Sequence, residues 1–233
     1  MARTDRPDPP RNGAGAYTRI QLAALTLFAD KGFHATGIRE IGTTAGVSSS
    51  VLYHYASSKD DILLTLVQDG LSRYADALVL AHDAADEPAD RLGAMVAVHV
   101  LVPVLHPRMG RLLAQESAVL SPEAVEQVRA MRDDIEHLWT GVLTTGRDTG
   151  VFSIDSVQIA RLALVHSATM VSRWFRPEGA LAIDEITTQY VDLALGLVRA
   201  HRNGRELRAT DLAGPDLPRI RAIIAESHDG VWW

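Results

Sequence analysis

Residues 45–61 read AGVSSSVLYHYASSKDD, a polar segment between an Ala-Gly pair and a Lys-Asp-Asp run. Ser48 is a residue type that caps helices, and Val51, Leu52 and Tyr55 then recur at helical spacing. Because those three side chains take the buried side, the remaining ones are predicted to face outward: Ser49, Ser50, Tyr53 and His54. The segment therefore predicts a short helix with a polar outer face.

Helices are also predicted on both sides of this segment. An amphipathic pattern over residues 16–33 predicts a first helix, which Gly32 ends. Thr36 is predicted to cap a second helix, and Gly46 is predicted to break it. Ser58 is predicted to cap a long fourth helix. Two short helices separated by a glycine turn are typical of a helix-turn-helix.

A helix-turn-helix binds DNA by placing its second helix in the major groove. Serine side chains are small enough to let a helix sit deep in the groove, while a tyrosine hydroxyl and a lysine ammonium suit phosphate contacts. The predicted DNA-contacting residues are Thr36, Ser48, Ser49, Ser50, Tyr53, His54 and Lys59. The alternative interpretation is a solvated polar helix with capping serines.

The run TGIREIGTTAGVSSSVLYHYASSKDDIL, residues 36–63, resembles the DNA-binding domain of TetR-type transcriptional regulators. The resemblance implies that Thr36, Tyr53 and Lys59 contact phosphate and that the helix over 48–54 enters the groove. Four positions depart from the family pattern. Ser50 stands where glycine is frequent, and Gly42 stands where alanine is common. Val51 stands where threonine is usual, which removes one possible phosphate contact, and Ala56 stands where an aromatic residue is expected.

The rest of the chain also predicts helices, so the expected fold class is all-α. A three-helix DNA-binding domain would be followed by a helical ligand-binding and dimerisation domain. Further helices are predicted near 87–105, 107–119, 122–148, 156–175 and 183–201, with no strands. The predicted divisions are a disordered tail over 1–15, the helix-turn-helix domain over 16–60, the body over 61–202, and a C-terminal extension over 203–233. The extension contains one short helix and ends in Trp232-Trp233.

The body is predicted to form a homodimer, since two modules one helical turn apart bind a palindromic operator more tightly than one. Small and apolar residues in the helices over 156–175 and 183–201 suit close packing between subunits. The alternative is that these residues only fill an intramolecular core. RWFRPEGALAIDEITTQYVDLALGLV, residues 173–198, resembles a TetR subgroup whose members regulate fatty-acid or steroid catabolism, and this implies an acyl-CoA-like ligand.

A mostly apolar pocket with few polar groups is expected between the body helices. Its predicted lining is Met95, His99, Trp139, His166, Thr169, Met170 and Arg173. For each histidine, the competing interpretation is a hydrogen-bonded core or surface residue. A small hydrophobic or acyl-CoA-like ligand would release a repressor from DNA. The rival hypothesis is a helix-turn-helix regulator controlled by a protein partner, with no small-molecule pocket.

Charge and motifs restrict the other classes of function. The net charge is -6, which argues against a general nucleic-acid coat, but residues 1–60 carry seven basic and five acidic side chains. There is no cysteine, no GxSxG, no HExxH and no glycine-rich phosphate loop. We therefore expect no enzyme, no cofactor and no metal. No apolar run approaches the roughly 20 residues of a membrane helix, so we expect no membrane partner and a cytoplasmic location.

Overall fold

The computed structural model describes residues 14–115 and 119–227, and these are almost entirely helical. The helices are α1 (Ala14–Lys31), α2 (Ile38–Ala45), α3 (Ser49–Tyr55), α4 (Lys59–Asp83), α5 (Pro88–Leu105), α6 (Pro107–Gln115), α7 (Pro122–Asp148), α8 (Val157–Thr169), α9 (Val171–Trp174), α10 (Ile183–Leu197) and α11 (Leu217–Glu226). Strands β1 (His201–Arg202) and β2 (Arg205–Glu206) form a hairpin, and a short 3₁₀ helix spans Ala209–Asp211.

Local signals set most helix ends in the N-terminal part. Gly32 and Gly46 adopt φ values of +91° and +63°, a left-handed conformation that suits glycine, and they follow α1 and α2 directly. Ser48 Oγ accepts from the Val51 amide at 3.3 Å, and Ser58 Oγ accepts from the Asp61 amide at 3.1 Å. Both serines therefore cap the helices that were predicted to begin at them.

The cap predicted at Thr36 is wrong. Gly37 occupies the N-cap position of α2, and its amide donates to the Glu40 carboxylate at 3.5 Å. Thr36 is instead buried, with 2% of its surface exposed, and its hydroxyl donates to the Gly32 carbonyl at 2.8 Å. Because the Thr36 hydroxyl is hydrogen-bonded to the carbonyl four residues earlier, it stabilises the turn after α1 and does not cap α2.

The described part of the chain contains two hydrophobic cores, and α4 belongs to both. The N-terminal core contains Ile20, Phe28 and Leu52 together with Ile62 and Leu66 from the first half of α4. The body core contains residues from the second half of the same helix: Ala77, Leu78 and Ala81. A single uninterrupted helix therefore connects the helix-turn-helix to the body.

Helix α5 is the centre of the body. Residues 92–102 are all buried, and the helix packs against α4, α6, α7, α8, α10 and α11. Although its 18 residues include Asp90 and Arg91, α5 is long enough and on average apolar enough to cross a membrane, whereas the sequence was expected to contain no such run. Because 72% of that window is buried inside the protein, α5 serves as a core helix of the body.

The body differs from the sequence prediction at several helix ends. The helix predicted over 156–175 is divided at Met170 into α8 and α9, and the helix predicted over 183–201 ends at Leu197. The hairpin beyond it was not predicted. Its turn is Asn203-Gly204, with φ values of +53° and +76°, and such a pair between two extended residues is the strongest short hairpin signal.

The C-terminal extension is part of the body core. Ile220, Ile223 and Ile224 of α11 are buried, and α11 packs against α4 and α5. The predicted short helix is therefore confirmed. Of the predicted disordered tail over 1–15, residues 14 and 15 begin α1, and the remainder lies outside the described residues, as do Trp232 and Trp233.

We expect Ile223→Ala to lower the free energy of unfolding by about 2–5 kcal/mol, because it removes fully buried methyl groups and leaves a cavity. Urea denaturation of the full chain measures this change. Ala225→Ser, an exposed change on the same helix, is the control and stays within about 0.5 kcal/mol of the wild type. Equal stability of both variants would contradict the assignment of the extension to the core.

Candidate DNA-binding surface and interior polar site

Helix α3 presents the polar face that the sequence predicted. Leu52 is 1% exposed and packs inward, whereas Tyr53 is 51% exposed. Ser49, Ser50 and His54 are also exposed. The structure thus places these four predicted residues together on one exposed face of a short helix.

The turn between α2 and α3 fixes how that surface is presented. The Val47 amide donates to the Gly42 carbonyl at 3.0 Å, which closes the turn around Gly46. A Cβ atom at Gly42 would lie 3.2 Å from Leu52 Cδ2, so the glycine allows α3 to approach α2 closely. Arg19 of α1 donates to the Ala45 carbonyl at 3.1 Å and holds the end of α2.

Lys59 is tied into the protein by its ammonium group. Its Nζ donates to the Phe33 carbonyl at 2.9 Å and to the Thr36 carbonyl at 3.2 Å. The same atom lies 4.3 Å from the centre of the Phe33 ring, within the range of a cation–π contact. Lys59 therefore fastens the start of α4 to the turn between α1 and α2. A lysine ammonium has three donors, so one of them remains for a phosphate.

Two predicted DNA contacts are also used inside the protein. Ser48 is exposed, but its hydroxyl caps α3. Thr36 was expected at the surface, yet its side chain is turned inward with its hydroxyl on Gly32. Arg39 was not among the predicted residues. It is exposed in the first turn of α2 and has no ion pair among the described residues. A basic residue in the helix before α3 was the signal for it.

A polar cluster lies inside the body where α4, α5 and α8 meet. Tyr74 hydroxyl is hydrogen-bonded to His99 Nδ1. His99 Nε2 lies 3.0 Å from the Val165 carbonyl and 3.0 Å from the Thr169 hydroxyl. Because the carbonyl only accepts, Nε2 carries the proton and Nδ1 accepts from Tyr74. The ring of Trp139 contacts the His99 ring edge-on at a centroid distance of 5.7 Å.

Burial dominates the protonation of this cluster. It lowers the pKa of His99 to about 4, although the Val165 carbonyl opposes the change. Burial also raises the pKa of Tyr74 well above its usual range, while the nearby indole N–H of Trp139 opposes the rise. That indole N–H meets no acceptor in hydrogen-bonding geometry among the residues described. The cluster is neutral at pH 7 and keeps one donor unused.

The seven predicted ligand residues do not form one site. Met95, His99 and Trp139 are buried, and Thr169 lies beside them. The other three are exposed and lie away from the interior: His166, Met170 and Arg173. His166 lies in α8, Met170 at the break between α8 and α9, and Arg173 in α9. Tyr74 belongs to the interior cluster but was not predicted.

The side chains of Tyr74, Trp139 and Thr169 pack around His99. None of the seven residues lines the cavity of about 320 Å³ beyond α5, or the one of about 40 Å³ between α8 and α10.

Family comparisons cover both parts of the chain. Residues 20–66 match the family described as bacterial regulatory proteins, tetR family. Residues 85–198 match the tetracyclin repressor-like, C-terminal domain. The first match contains the helix-turn-helix, and the second ends just after α10, before the C-terminal extension. The family resemblance and the all-α fold class predicted from the sequence are confirmed.

Individual proteins are similar over most of the chain. The HTH-type transcriptional repressor KstR2 of Rhodococcus jostii strain RHA1 is 29% identical over 204 residues, which are 83% of this chain and 97% of that protein. A solved tetR-family regulatory protein from Rhodococcus RHA1 has a TM-score of 0.75 at 28% identity, covering 80% of this chain and 98% of that one. AibR in complex with isovaleryl coenzyme A and operator DNA has a TM-score of 0.71 at 18% identity, covering 76% and 97%, and this likeness shows the fold alone.

We expect Lys59→Ala to weaken DNA binding equally for all sequences and to make the salt dependence shallower by about one unit, because it removes the predicted phosphate contact. It also lowers the free energy of unfolding by about 1–3 kcal/mol, since two carbonyls lose a charged donor. Fluorescence anisotropy and urea denaturation measure the two effects. Lys31→Ala, which breaks only an exposed pair with Glu40, is the control for stability. A change in sequence preference would contradict the phosphate role.

We expect His99 to make the protein less stable in acid. The folded pKa of about 4 lies below the ordinary value of about 6.5, so stability present above pH 6.5 is lost as the pH falls toward 4. We expect His99→Gln to reduce the loss of unfolding free energy between pH 6.5 and pH 4 by on the order of 1–3 kcal/mol. Urea denaturation at these two pH values measures the change. His106, whose pKa is also lowered to about 4, keeps part of the slope. The exposed His137→Gln serves as control, and identical slopes in both variants would contradict the account.

Proposed function

Because the chain belongs to the TetR family of transcriptional regulators, we propose that it is a repressor that binds a palindromic operator as a homodimer and is released by a small hydrophobic or acyl-CoA-like ligand. In this proposal residues 16–60 bind DNA, and residues 61–202 bind the ligand and dimerise. Residues 203–233 form the extension. The proposal places the protein in the cytoplasm, where the operator is, and gives it no catalytic role.

The exposed polar face of α3 carries the DNA-binding part of the proposal. Its side chains offer hydroxyl and imidazole groups near the start of a helix, where base edges are contacted in the major groove. Tyr53 is half exposed and lies beside the serines, within reach of a neighbouring phosphate. The charge of the chain as a whole is negative, so this surface, with Arg39 and Lys59 near it, is where DNA is expected to approach.

An unpaired apolar surface on α8 and α10 supports the homodimer. Ile159 and Leu193 are each 65% exposed, and Leu197 is 41% exposed. The opposite sides of both helices are buried in the body core. Large apolar side chains at this exposure are typical of an interface, and two helices from each subunit would form a four-helix contact. Such a dimer would present two copies of α3 to one operator.

The interior cluster around His99 supports control by a ligand. It combines apolar walls with few polar groups, and the unused indole N–H of Trp139 could donate to a carbonyl. AibR, which shares the fold, was solved with isovaleryl coenzyme A and operator DNA. A ligand acts only through different affinities for two states of the protein. Separating α4 from α5 around His99 would move α4, which also belongs to the N-terminal hydrophobic core.

A protein partner is the second candidate for control. The observation in its favour is that none of the predicted ligand residues lines either of the two cavities described above. Under this hypothesis the partner, rather than a small molecule, changes the position of α4. The two hypotheses differ in what releases DNA from the purified protein.

The function is tested by binding of the purified chain to the DNA upstream of its own gene, with and without a panel of acyl-CoA thioesters. We expect salt-dependent, sequence-selective binding that at least one thioester weakens. Selective binding that no thioester changes would favour the partner hypothesis. Absence of selective binding would contradict the regulator itself.

We expect Tyr53→Phe to weaken DNA binding by roughly threefold to tenfold, as for loss of one hydrogen bond, and to leave thermal unfolding unchanged. Tyr17→Phe is a matched control on α1, outside the predicted contact surface. Fluorescence anisotropy with labelled operator measures the change. Unchanged affinity would remove Tyr53 from the contact set.

We expect Leu193→Glu to convert the protein to a monomer and to weaken operator binding by at least about tenfold, because a charge would be buried at the subunit contact. Sedimentation velocity and anisotropy measure the two effects. Val79→Glu introduces the same charge at an exposed apolar site on α4 and is expected to leave the dimer intact. A dimer that persists in Leu193→Glu would show that subunits meet elsewhere.

A further inference from the structure

The C-terminal extension crosses the junction between α4 and α5. Helix α11 packs against both helices, and its buried residues Ile220, Ile223 and Ile224 belong to the body core. The family-matched part of the chain ends at residue 198, so the extension lies beyond that domain. Because α4 also belongs to the N-terminal hydrophobic core, an element that packs on both α4 and α5 restrains the helix that leads to the DNA-binding surface.

Asp90 fastens the extension to the start of α5. Its side chain is only 4% exposed, and its Oδ1 accepts from the amides of Ala213 and Gly214 at 2.7 and 3.2 Å. Its Oδ2 is paired with the guanidinium of Arg202, on the first strand of the hairpin, at 3.6 Å. A buried carboxylate is stable only when it is paired and hydrogen-bonded. Both oxygens of Asp90 are therefore used to hold the extension.

Further contacts attach the extension to α5 and α10. A Cβ atom at Gly93 would lie 2.4 Å from a leucine side chain of the extension, which therefore lies directly on the backbone of α5. Asp192 accepts from the Ala209 amide at 2.7 Å, and Arg221 of α11 pairs with Asp184. Both of these carboxylates belong to α10. The extension is thus anchored to α5 and α10 while α11 packs on α4.

This arrangement opposes a separation of α4 from α5. If α4 moves away from α5, α11 must lose its contact with one of them, and buried isoleucine surface becomes exposed to water. Exposing apolar surface is unfavourable. A ligand that favours the separated state must therefore supply additional differential binding energy to reach it.

We propose that residues 201–227 form a clip that holds α4 against α5 and raises the ligand concentration needed to release the protein from DNA. The proposal rests on the proposed function, in which a ligand separates α4 from α5. The clip acts through the position of α4 and makes no contact with DNA. Loosening it therefore makes release easier without altering the residues of the DNA-binding surface.

A disulfide between the clip and α5 tests the proposal, since the chain contains no cysteine of its own. A Cβ atom at Gly214 would lie 3.1 Å from Asp90 Cβ, near the roughly 3.5–4.5 Å between the Cβ atoms of a disulfide. The double variant Asp90→Cys, Gly214→Cys holds the clip covalently when it is oxidised. Its reduced form lacks the Asp90 carboxylate, so the clip is loosened. A phosphine reductant interconverts the forms without attacking thioesters.

We expect the reduced form to be released from labelled operator at a thioester concentration about fivefold or more below that of the oxidised form. Fluorescence anisotropy with isovaleryl and octanoyl coenzyme A measures release from full-length protein that circular dichroism shows to be folded. Equal half-release concentrations in the two forms would overturn the proposal, because a merely structural role changes unfolding and leaves release unchanged.

Hydrogen exchange separates failure of the clip from failure of the proposed function. If neither thioester releases operator, ligand control by these compounds fails, and amide exchange in residues 77–83 of α4 tests the clip by itself. We expect these amides to exchange about fivefold or more faster on reduction, since α4 is then held less firmly. Exchange at the same rate in both forms would overturn the proposal.

Two variants on the hairpin give a matched comparison. Arg202→Gln removes the ion pair that joins the hairpin to Asp90, and we expect it to lower the half-release concentration by roughly twofold to fivefold. Arg205 pairs with Asp211 inside the clip, so Arg205→Gln is the control and keeps the wild-type response. Equal responses of these two variants would overturn the proposal even if the cysteine variant fails to fold.

Discussion

The constraint on which the structure depends most is that α4 is one continuous helix in two hydrophobic cores. Ile62 and Leu66 fix its first half against α1 and α3, while Leu78 and Ala81 fix its second half against α5 and α11. Because packed cores do not deform continuously, a change around the second half is transmitted as a movement of the whole helix. Helix α6 adds a second connection, since Met109 packs directly against Gly70 of α4. Regulation of DNA binding is therefore expected to act through the angle of α4.

The polar residues of the DNA-binding part divide into two groups with different tasks. Thr36, Ser48 and Lys59 satisfy backbone groups at helix ends and turns, and so they set the position of α3. The side chains on the outer face of α3 make no such contribution and remain available for DNA. A substitution in the first group is expected to alter both stability and binding, whereas one in the second group alters binding alone. Measuring stability and affinity together separates the two groups.

Local chemistry explains which features could be predicted from the sequence. The caps at Ser48 and Ser58 and the left-handed glycines depend on residues a few positions apart, and these predictions were confirmed. The cap predicted at Thr36 was wrong because the Thr36 hydroxyl bonds to the preceding turn, at Gly32. Lys59, which is 23 positions further along the chain, donates to the carbonyl of Thr36 in the same turn. The interior cluster joins Tyr74 to His99 and His99 to Thr169 across 25 and 70 positions. A contact between residues so far apart in the chain has no signature in a single sequence. The structure consequently brings only some of the predicted ligand residues together.

The central claim is that two copies of α3 bind DNA from one dimer, and selection of binding sites from a random double-stranded DNA library tests it most directly. The account predicts enrichment of a two-fold symmetric sequence whose half-sites lie about 10–10.5 base pairs apart, centre to centre, or a multiple of that spacing. Enrichment of a single asymmetric half-site, or binding without any enriched sequence, would contradict it.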